Sequence, residues 1–388
     1  MKVCVVAEYY PRRRDPVLGI WAHRQALAAR EAGADVKVLV LERPLPPASA
    51  LRRPWRLPAV FSKMARQPAR DELDGIELRY VRFVAGDRNR TYATWHERAA
   101  GPLGTALSEL HADWPFELIH AHYALPAGGA ALPFAREHDI PMVVSVHGGD
   151  VLGPLLQADK ARATVSSVLG SAAEVLCNSR ATLTRVSGLV PDDERLRVVH
   201  LGAEPPADTV VKRERITVST LGHVIPRKRH IDVLEAVAGL EYVDWLVIGD
   251  GPELPALRRR AADLGLEQRV QFAGQLPPDE ALRELASTHV MALPSEDEAF
   301  GVAYVEALAC GVPAIGCAGE GGPGEIAALG RGMLLVPPRD PGALTATIEA
   351  ALADPELPAA ARRTAADHFS WQRCGRDTVA AYRDALAG

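Results

Sequence analysis

The sequence predicts an α/β protein of two doubly wound, Rossmann-like domains, and three observations carry that expectation. Short β-branched runs alternate with alanine-rich stretches of helical spacing, the pattern of βαβ units. The alternation runs twice, and a stretch of Pro, Ala and charge from Glu204 to Arg215 separates the two series. A chain of 388 residues is also long for one hydrophobic core and comfortable for two. Its 48% apolar content is that of a globular rather than a disordered protein.

In the first series Val3 to Ala7 reads as a strand and Gly19 to Ala32 as a helix that Gly33 stops, followed by a strand from Val36 to Leu41. Glu42 to Ala69 is rich in Pro, Arg, Leu and Trp and has poor periodicity, which suits either an excursion over a cleft or an irregular crossover. Ile76 to Phe83 reads as extended and Thr94 to Ala112 as a helix. Buried parallel strands are expected at Leu118-Ile119, Met142 to Val146 and Glu174 to Cys177. The second series gives strands at Ile216 to Leu221, Trp245 to Ile248, Val270 to Phe272, Val290 to Leu293 and Ala314 to Gly316. Helices between them are expected at Arg229 to Val237, Glu253 to Leu264, Pro278 to Ala286 and Val302 to Ala309. From Pro341 to Gly388 the chain reads as helical, with breaks near Asp354-Pro355 and Asp367 to Trp371. The expected domains are therefore 1–205 and 206–368, with 369–388 a last helix crossing back to the first domain. In such folds ligands bind beyond the C-terminal ends of the strands.

A formal charge of -5 gives no global reason to expect nucleic acid. Local cationic runs exist at Arg12, Arg13 and Arg14 and at Arg227, Lys228 and Arg229, where a solvated face is the plain alternative to a binding role. Cys4, Cys177, Cys310, Cys317 and Cys374 lack metal or redox spacing and suit buried thiols in a reducing compartment. The N-terminus enters a strand that Glu8 cuts short, and no apolar run approaches membrane-spanning length. A cytoplasmic protein is expected, with peripheral membrane contact left open.

The sharpest constellation is Glu298-Ala-Phe300-Gly301-Val-Ala-Tyr-Val-Glu306, in which an acidic loop after a strand leads through a glycine into a helix. Glu298 would sit at the strand end and Glu306 about two turns along the helix. Carboxylates there can accept hydrogen bonds from hydroxyls of a sugar and a ribose, and Gly301 lets backbone N–H groups approach a ligand. The simpler alternative is that the acidic residues cap the helix. Gly319-Glu-Gly-Gly322-Pro-Gly-Glu325 opens another helix after a strand and reads as a phosphate cradle, though without dinucleotide-fingerprint spacing. A third loop, Gly222-His223 through Arg227-Lys228-Arg229, brings cations able to neutralise a leaving diphosphate without a metal.

These motifs in order, with Gly249-Asp-Gly-Pro-Glu253 and Val270-x-Phe-x-Gly274, resemble the retaining GT-B glycosyltransferases of family 4. The likeness runs through most of the chain and is strongest from about Ile216 to Pro338. It implies the GT-B fold, two Rossmann-like domains facing a deep cleft, with the acceptor on the first domain and the nucleotide-sugar on the second. It implies that Glu298 contacts the donor sugar, Glu306 the ribose, Lys228 the diphosphate, and the amides around Phe300-Gly301 the sugar. The family places an Arg where this chain has His223, so Arg227, Arg229 or a protonated His223 is expected to supply that charge. A co-substrate of the nucleotide-diphosphate-sugar type is implied, with uridine the common base, and neither a metal nor a further cofactor.

In the first half, His120-Ala-His122 and His147-Gly-Gly-Asp150 each follow an expected strand. Four such groups are legitimate zinc ligands, yet the diphosphate cations make a metal unnecessary. His120 and His122 suit structural bonds to loop backbone. The family's similar His-Gly-x-Asp segment implies that His147 reaches the donor sugar and that His147 and Asp150 line the site. Gly19, at the end of the Tyr9 to Gly19 loop, would offer its N–H to the phosphates. Arg12 to Arg14 would meet an anionic acceptor or lipid headgroup, or only solvent. The expected chemistry is a same-face, retaining transfer of a hexosyl group to a glycan, glycolipid or secondary-metabolite hydroxyl. In it the departing phosphate takes the acceptor proton, and Lys228, one Arg, Gly19 and amides near Gly322 hold the charge. The competing readings are a GT-B epimerase or phosphorylase, a catalytically silent sugar- or nucleotide-binding module, and a dinucleotide oxidoreductase, the last disfavoured by the first loop's glycine spacing.

Overall fold

A computed structural model describes residues 1–13, 15–44, 58, 62, 68–151, 156, 158–190 and 194–388, with residue 89 given as backbone only. The chain divides into two units, Met1–Val199 with Cys374–Gly388, and His200–Arg373. Most of the Glu42 to Ala69 stretch lies outside the described residues, as does Arg14.

The first unit holds β1 (Lys2–Ala7), β2 (Asp35–Glu42), β3 (Arg70–Leu73), β4 (Ile76–Arg82), β5 (Leu118–His122), β6 (Met142–Val146), β7 (Glu174–Cys177) and β8 (Leu196–Val198). Their order is β3-β4-β2-β1-β5-β6-β7-β8, parallel throughout except for the antiparallel pairing of β3 with β4. β5, β6 and β7 are buried along their whole length, as interior parallel strands are, and they carry His120, His122, Ser145 and Glu174 as buried polar exceptions. The helix Trp95–Asp113 covers this sheet's core with one stripe, Trp95, Ala99, Leu103, Leu107 and Leu110. That spacing of three to four residues keeps one face inward, and each large apolar residue contributes about 1.5–3 kcal/mol by leaving water.

In the second unit β9 (Ile216–Leu221), β10 (Val243–Ile248), β11 (Val270–Gly274), β12 (Val290–Ala292), β13 (Ala314–Cys317) and β14 (Met333–Val336) pair in the order β11-β10-β9-β12-β13-β14. All neighbours are parallel, so the winding reverses between β9 and β12. Central β9 carries hydroxyls inside the core and satisfies them sideways. Ser219 Oγ meets Thr288 Oγ1 at 2.8 Å, and Thr220 Oγ1 donates to the Ala292 carbonyl at 2.8 Å while accepting Trp245 Nε1–H at 2.9 Å. The loops after β9 and β12 flank the reversal, the place where doubly wound sheets bind ligands.

Three helices close the chain, Pro341–Ala353, Leu357–His368 and Trp371–Ala387, with breaks where Asp354-Pro355 and the Phe369-Ser370 pair stand. From Cys374 onward the last helix belongs to the first unit. There Gln25 Nε2 donates to Thr378 Oγ1 at 3.0 Å and Tyr382 Oη bonds His120 Nδ1 at 2.7 Å. The edge strands β3, β8 and β14 and the helices Gly129–Glu137, Asp159–Gly170 and Arg180–Ser187 are elements that the sequence reading passed over. Among the described residues, no helix is long and apolar enough to cross a membrane.

Candidate active site

Lys228 and Glu298 come together from opposite sides of the β9/β12 reversal. Lys228 ends a short turn, Pro226–Lys228, after β9, and Glu298 lies in the loop that follows β12. The Lys228 ammonium donates to Glu298 Oε2, and both side chains are about nine-tenths buried, 13% and 10% exposed. Ser295 Oγ donates to the same oxygen at 2.9 Å, and an Arg227 guanidinium nitrogen stands 3.8 Å from it. Burial pushes the Glu298 carboxyl up, but Lys228, Arg227 and Ser295 more than offset it and leave its pKa below the ordinary value. Glu298 is therefore an anion that accepts hydrogen bonds and has no proton to give.

The backbone around this pair is fixed from three sides. Glu298 N–H donates to Glu320 Oε2 at 2.8 Å, and Glu296 N–H donates to the Arg227 carbonyl at 2.8 Å. Arg339 holds Glu296 through two bonds of 2.7 and 3.0 Å. Gly301 caps the helix Val302–Ala309 at φ +89, and a Cβ there would lie 2.2 Å from the Tyr304 ring. Glu306 lies half-buried on that helix. Phe300 is buried, and its ring stacks on His200 at 5.7 Å. His200 Nε2 in turn meets Glu325 Oε1 at 2.7 Å.

Two expectations for this unit change on inspection. Gly322 is required by a close approach: a Cβ there would fall 2.3 Å from the Phe300 carbonyl oxygen. Its N–H points to the Glu298 carbonyl at 3.4 Å, so the glycine packs the helix against the Glu298 loop instead of presenting this amide to a phosphate. Arg229, at φ +53, spends its guanidinium on Asp232 through bonds of 2.9 and 2.6 Å. Of the candidate replacements for the family arginine, Arg227 and His223 are exposed on the loop and Arg229 is committed.

In the first unit, His122 at the end of β5 and His147 just after β6 form one pair, Nδ1 of His122 lying 2.9 Å from Nε2 of His147. Burial lowers the His147 pKa to about 3. Asp150 is 1% exposed, and its oxygens accept the backbone N–H of Ala124 at 2.9 Å and of His147 at 3.3 Å. Burial pushes its pKa up to about 7 against the pull of these amides. Asp150 thus braces the two loops, and its carboxylate is not turned to a ligand. His120 departs from the expected crevice altogether: it sits in the core between Tyr382 Oη and Ser145 Oγ, at 2.7 and 2.8 Å. Both His120 and His122 bond side chains, not loop backbone, because their strand is interior and its neighbours' backbone is already paired. Gly19 caps the helix Ile20–Glu31 at φ +68, tight against the Tyr9 backbone.

Of the arginine run, Arg12 and Arg13 are described, and both are engaged within the fold. Arg12 is buried and donates to the Glu8 and Leu41 carbonyls, both at 2.9 Å, while Arg13 forms two 2.8 Å bonds to Asp71. The network that does stand at the end of β1 was missed. Glu8 accepts Arg88 at 2.6 Å and Tyr92 Oη at 2.9 Å, and the Arg88 guanidinium also reaches Tyr9 Oη. A carboxylate at a strand's C-terminal end, just past an apolar run, was the available signal. Ser295, Glu320 and His200 carried none, since they act only through spatial neighbours. Among the described residues, no group of three or more His, Cys, Asp or Glu is arranged to hold a metal ion.

Comparison with known proteins agrees with this architecture. Residues 204–368 match the family model for glycosyl transferases group 1, and residues 18–202 match a glycosyl transferase 4-like domain. A D-inositol 3-phosphate glycosyltransferase of Acidothermus cellulolyticus is 31% identical over 310 residues, 70% of this chain and 68% of the relative. A Bacillus subtilis protein named for teichuronic acid biosynthesis, TuaC, is 26% identical over 335 residues, 83% of this chain and 82% of its own. In fold, sucrose-phosphate synthase of Thermosynechococcus elongatus superposes with a TM-score of 0.79 at 19% identity, covering 100% of this chain and 99% of that one. With two Rossmann-like sheets and the ordered acidic and glycine motifs in place, the chain belongs to the family 4 glycosyltransferases, retaining GT-B enzymes that transfer a sugar from a nucleotide-diphosphate donor.

Proposed function

We propose that the donor pyrophosphate binds Lys228 and Arg227, that Glu298 and His147 hold the transferred sugar and Glu306 the ribose, and that the first unit presents a hydroxyl of a glycan or glycolipid. The observation that supports this reading most is the Lys228–Glu298 pair at the β9/β12 reversal. A cation and an anion stored against each other are the two groups a nucleotide-sugar needs, one for its phosphates and one for its hydroxyls. Lys228 helps keep Glu298 charged until a ligand replaces the contact. Backbone amides near Phe300-Gly301 and the Gly19 end of the first helix add partial positive charge. His223, exposed on the Lys228 loop, is the outermost member of this donor site.

In the reaction the bond from the anomeric carbon to the phosphate oxygen breaks while the bond to the acceptor oxygen forms on the same face. The acceptor proton passes to the departing phosphate oxygen. Lys228 and Arg227 stabilise the charge growing on that phosphate, which is electrostatic catalysis. Uridine is assigned as the base on its frequency in the family.

Titration calorimetry with UDP, GDP, ADP and TDP tests both halves of this reading. UDP is expected to bind tightest. Lys228→Ala is expected to weaken the diphosphate about 10- to 100-fold, the value of a hydrogen bond to a charged group. Glu298→Gln frees Lys228 and is expected to keep or improve diphosphate affinity while lowering kcat with the intact donor. A Lys228→Ala protein that binds every diphosphate as well as wild type overturns the assignment.

A further inference from the structure

The contact between His122 and His147 fixes more than a position. The two imidazoles lie parallel within 4°, with centroids 5.2 Å apart and a nitrogen–nitrogen distance of 2.9 Å. Burial, with His120 and His147 beside it, holds His122 neutral, and burial alone does the same for His147. A neutral imidazole carries one N–H, so this contact contains a single proton and one ring donates to the other. His122 Nε2 and His147 Nδ1, the outer nitrogens of the pair, are both without a hydrogen-bond partner.

Two arrangements satisfy the contact. If His147 donates through Nε2, His122 must carry its proton on the shared Nδ1 or leave that atom bare and carry it on Nε2; only the second forms the bond. That puts an N–H without a partner on a ring only 1% exposed, within strand β5 itself. If His122 donates through Nδ1, its Nε2 is a bare lone pair and the unpaired N–H moves to His147 Nδ1. His147 is half-buried as a residue, although its Nδ1 is itself covered, and it sits in the loop beyond β6, at the ligand-binding end of the strands. An orphaned buried N–H is rarer and costlier than an orphaned acceptor, so the proton belongs where a ligand can accept it.

We infer that His122 is a positioning residue that locks His147 in its Nδ1–H form, making His147 a neutral hydrogen-bond donor to a donor-substrate oxygen and not a base for the acceptor hydroxyl. This rests on the reading of His147 as a contact to the donor. It also accounts for proton removal: with His147 lacking a free lone pair toward the ligand, the departing phosphate is the base.

Nitrogen-15 NMR of labelled histidine in the wild-type protein with nucleoside diphosphate bound reads the tautomer directly. A proton on His147 Nδ1 is expected, and one on Nε2 overturns the inference. In kinetics, His122→Phe keeps a flat ring and removes the bond, and is expected to lower kcat/KM for the donor about 10- to 100-fold, the usual cost of losing the partner that orients a ligating histidine. Nucleoside diphosphate affinity should stay at the wild-type value. His122→Asn, which can place an amide N–H near the lost Nδ1, should recover most of the activity. His122→Phe with wild-type kinetics beside an impaired His147→Ala refutes the positioning role. His147→Ala with wild-type kinetics instead removes the reading of His147 as a donor contact, and the inferred role with it, whichever tautomer the NMR reports.

Discussion

Arg227 and Arg229 flank Lys228, and a sequence cannot tell which of them serves a phosphate. Arg227 has 43% of its side chain exposed, stands 3.8 Å from Glu298 and donates to the Asp297 carbonyl over a long 3.5 Å, a contact an anion can replace. Arg229 is held by two bonds to Asp232, whose side chain is 5% exposed. Removing the first should cost binding, and removing the second should cost stability. Arg227→Ala is expected to raise donor KM about fivefold, the roughly 1 kcal/mol of a partly solvated charge contact. Arg229→Ala is expected to leave donor KM unchanged and destabilise the fold by about 1–3 kcal/mol, because it strands a buried carboxylate. Steady-state kinetics with thermal melts of both variants separate the two, and a KM effect confined to Arg229→Ala would reverse the assignment.

Among the elements, the last helix joins two parts of the sequence through one point of close approach. Gly375 meets the helix Ile20–Glu31 so tightly that a Cβ would lie 2.1 Å from the Ala28 carbonyl oxygen. Beyond it Thr378 accepts from Gln25 Nε2 and Tyr382 bonds His120 Nδ1, both on side chains buried away from water. Gly375→Ala is expected to destabilise the first unit by about 1–3 kcal/mol through overpacking, seen as a lower urea midpoint. An unchanged midpoint would mean that the helix shifts at no cost. Helical periodicity and the Asp354-Pro355 break made these three helices legible, as short runs rich in β-branched and apolar residues did β6, β7 and β9. Strands such as β3, with its Arg-Asp-Glu-Leu sequence, were not legible, because an edge strand has only one neighbour and little to bury. The site followed the same division. Glu298, Lys228 and Gly301 announce themselves by where they stand relative to a strand end. The direction of Gly322, the burial of Arg12 and the commitment of Asp150 to backbone amides are set by contacts across the fold, and no spacing encodes them.

For the whole molecule, the interior histidines set how the protein meets acid. Burial lowers the pKa of His120 and His147 to about 3, that of His122 well below its ordinary value, and that of His230 to about 4, the last with help from Lys228 and His223. Each stays neutral in the fold and takes a proton on unfolding below its ordinary pKa of about 6.5. The stability they allow is therefore fully present above about pH 6.5 and is lost as pH falls toward 4, by up to about 1.4 kcal/mol per pH unit per histidine. Asp150 works the other way. With its pKa up to about 7 it takes a proton in the fold before it does in the unfolded chain, and it offsets one histidine between about pH 4 and 7. Three of the four histidines belong to the first unit and only His230 to the second. Hydrogen exchange at pH 7.0 and pH 5.0 is expected to show β5 and β6 losing protection more steeply than β9 and β10. His120→Gln, which keeps hydrogen bonds without the imidazole, should flatten that loss by close to one proton. Equal loss in both sheets, or a His120→Gln protein with the wild-type pH slope, would show that acid acts on other groups.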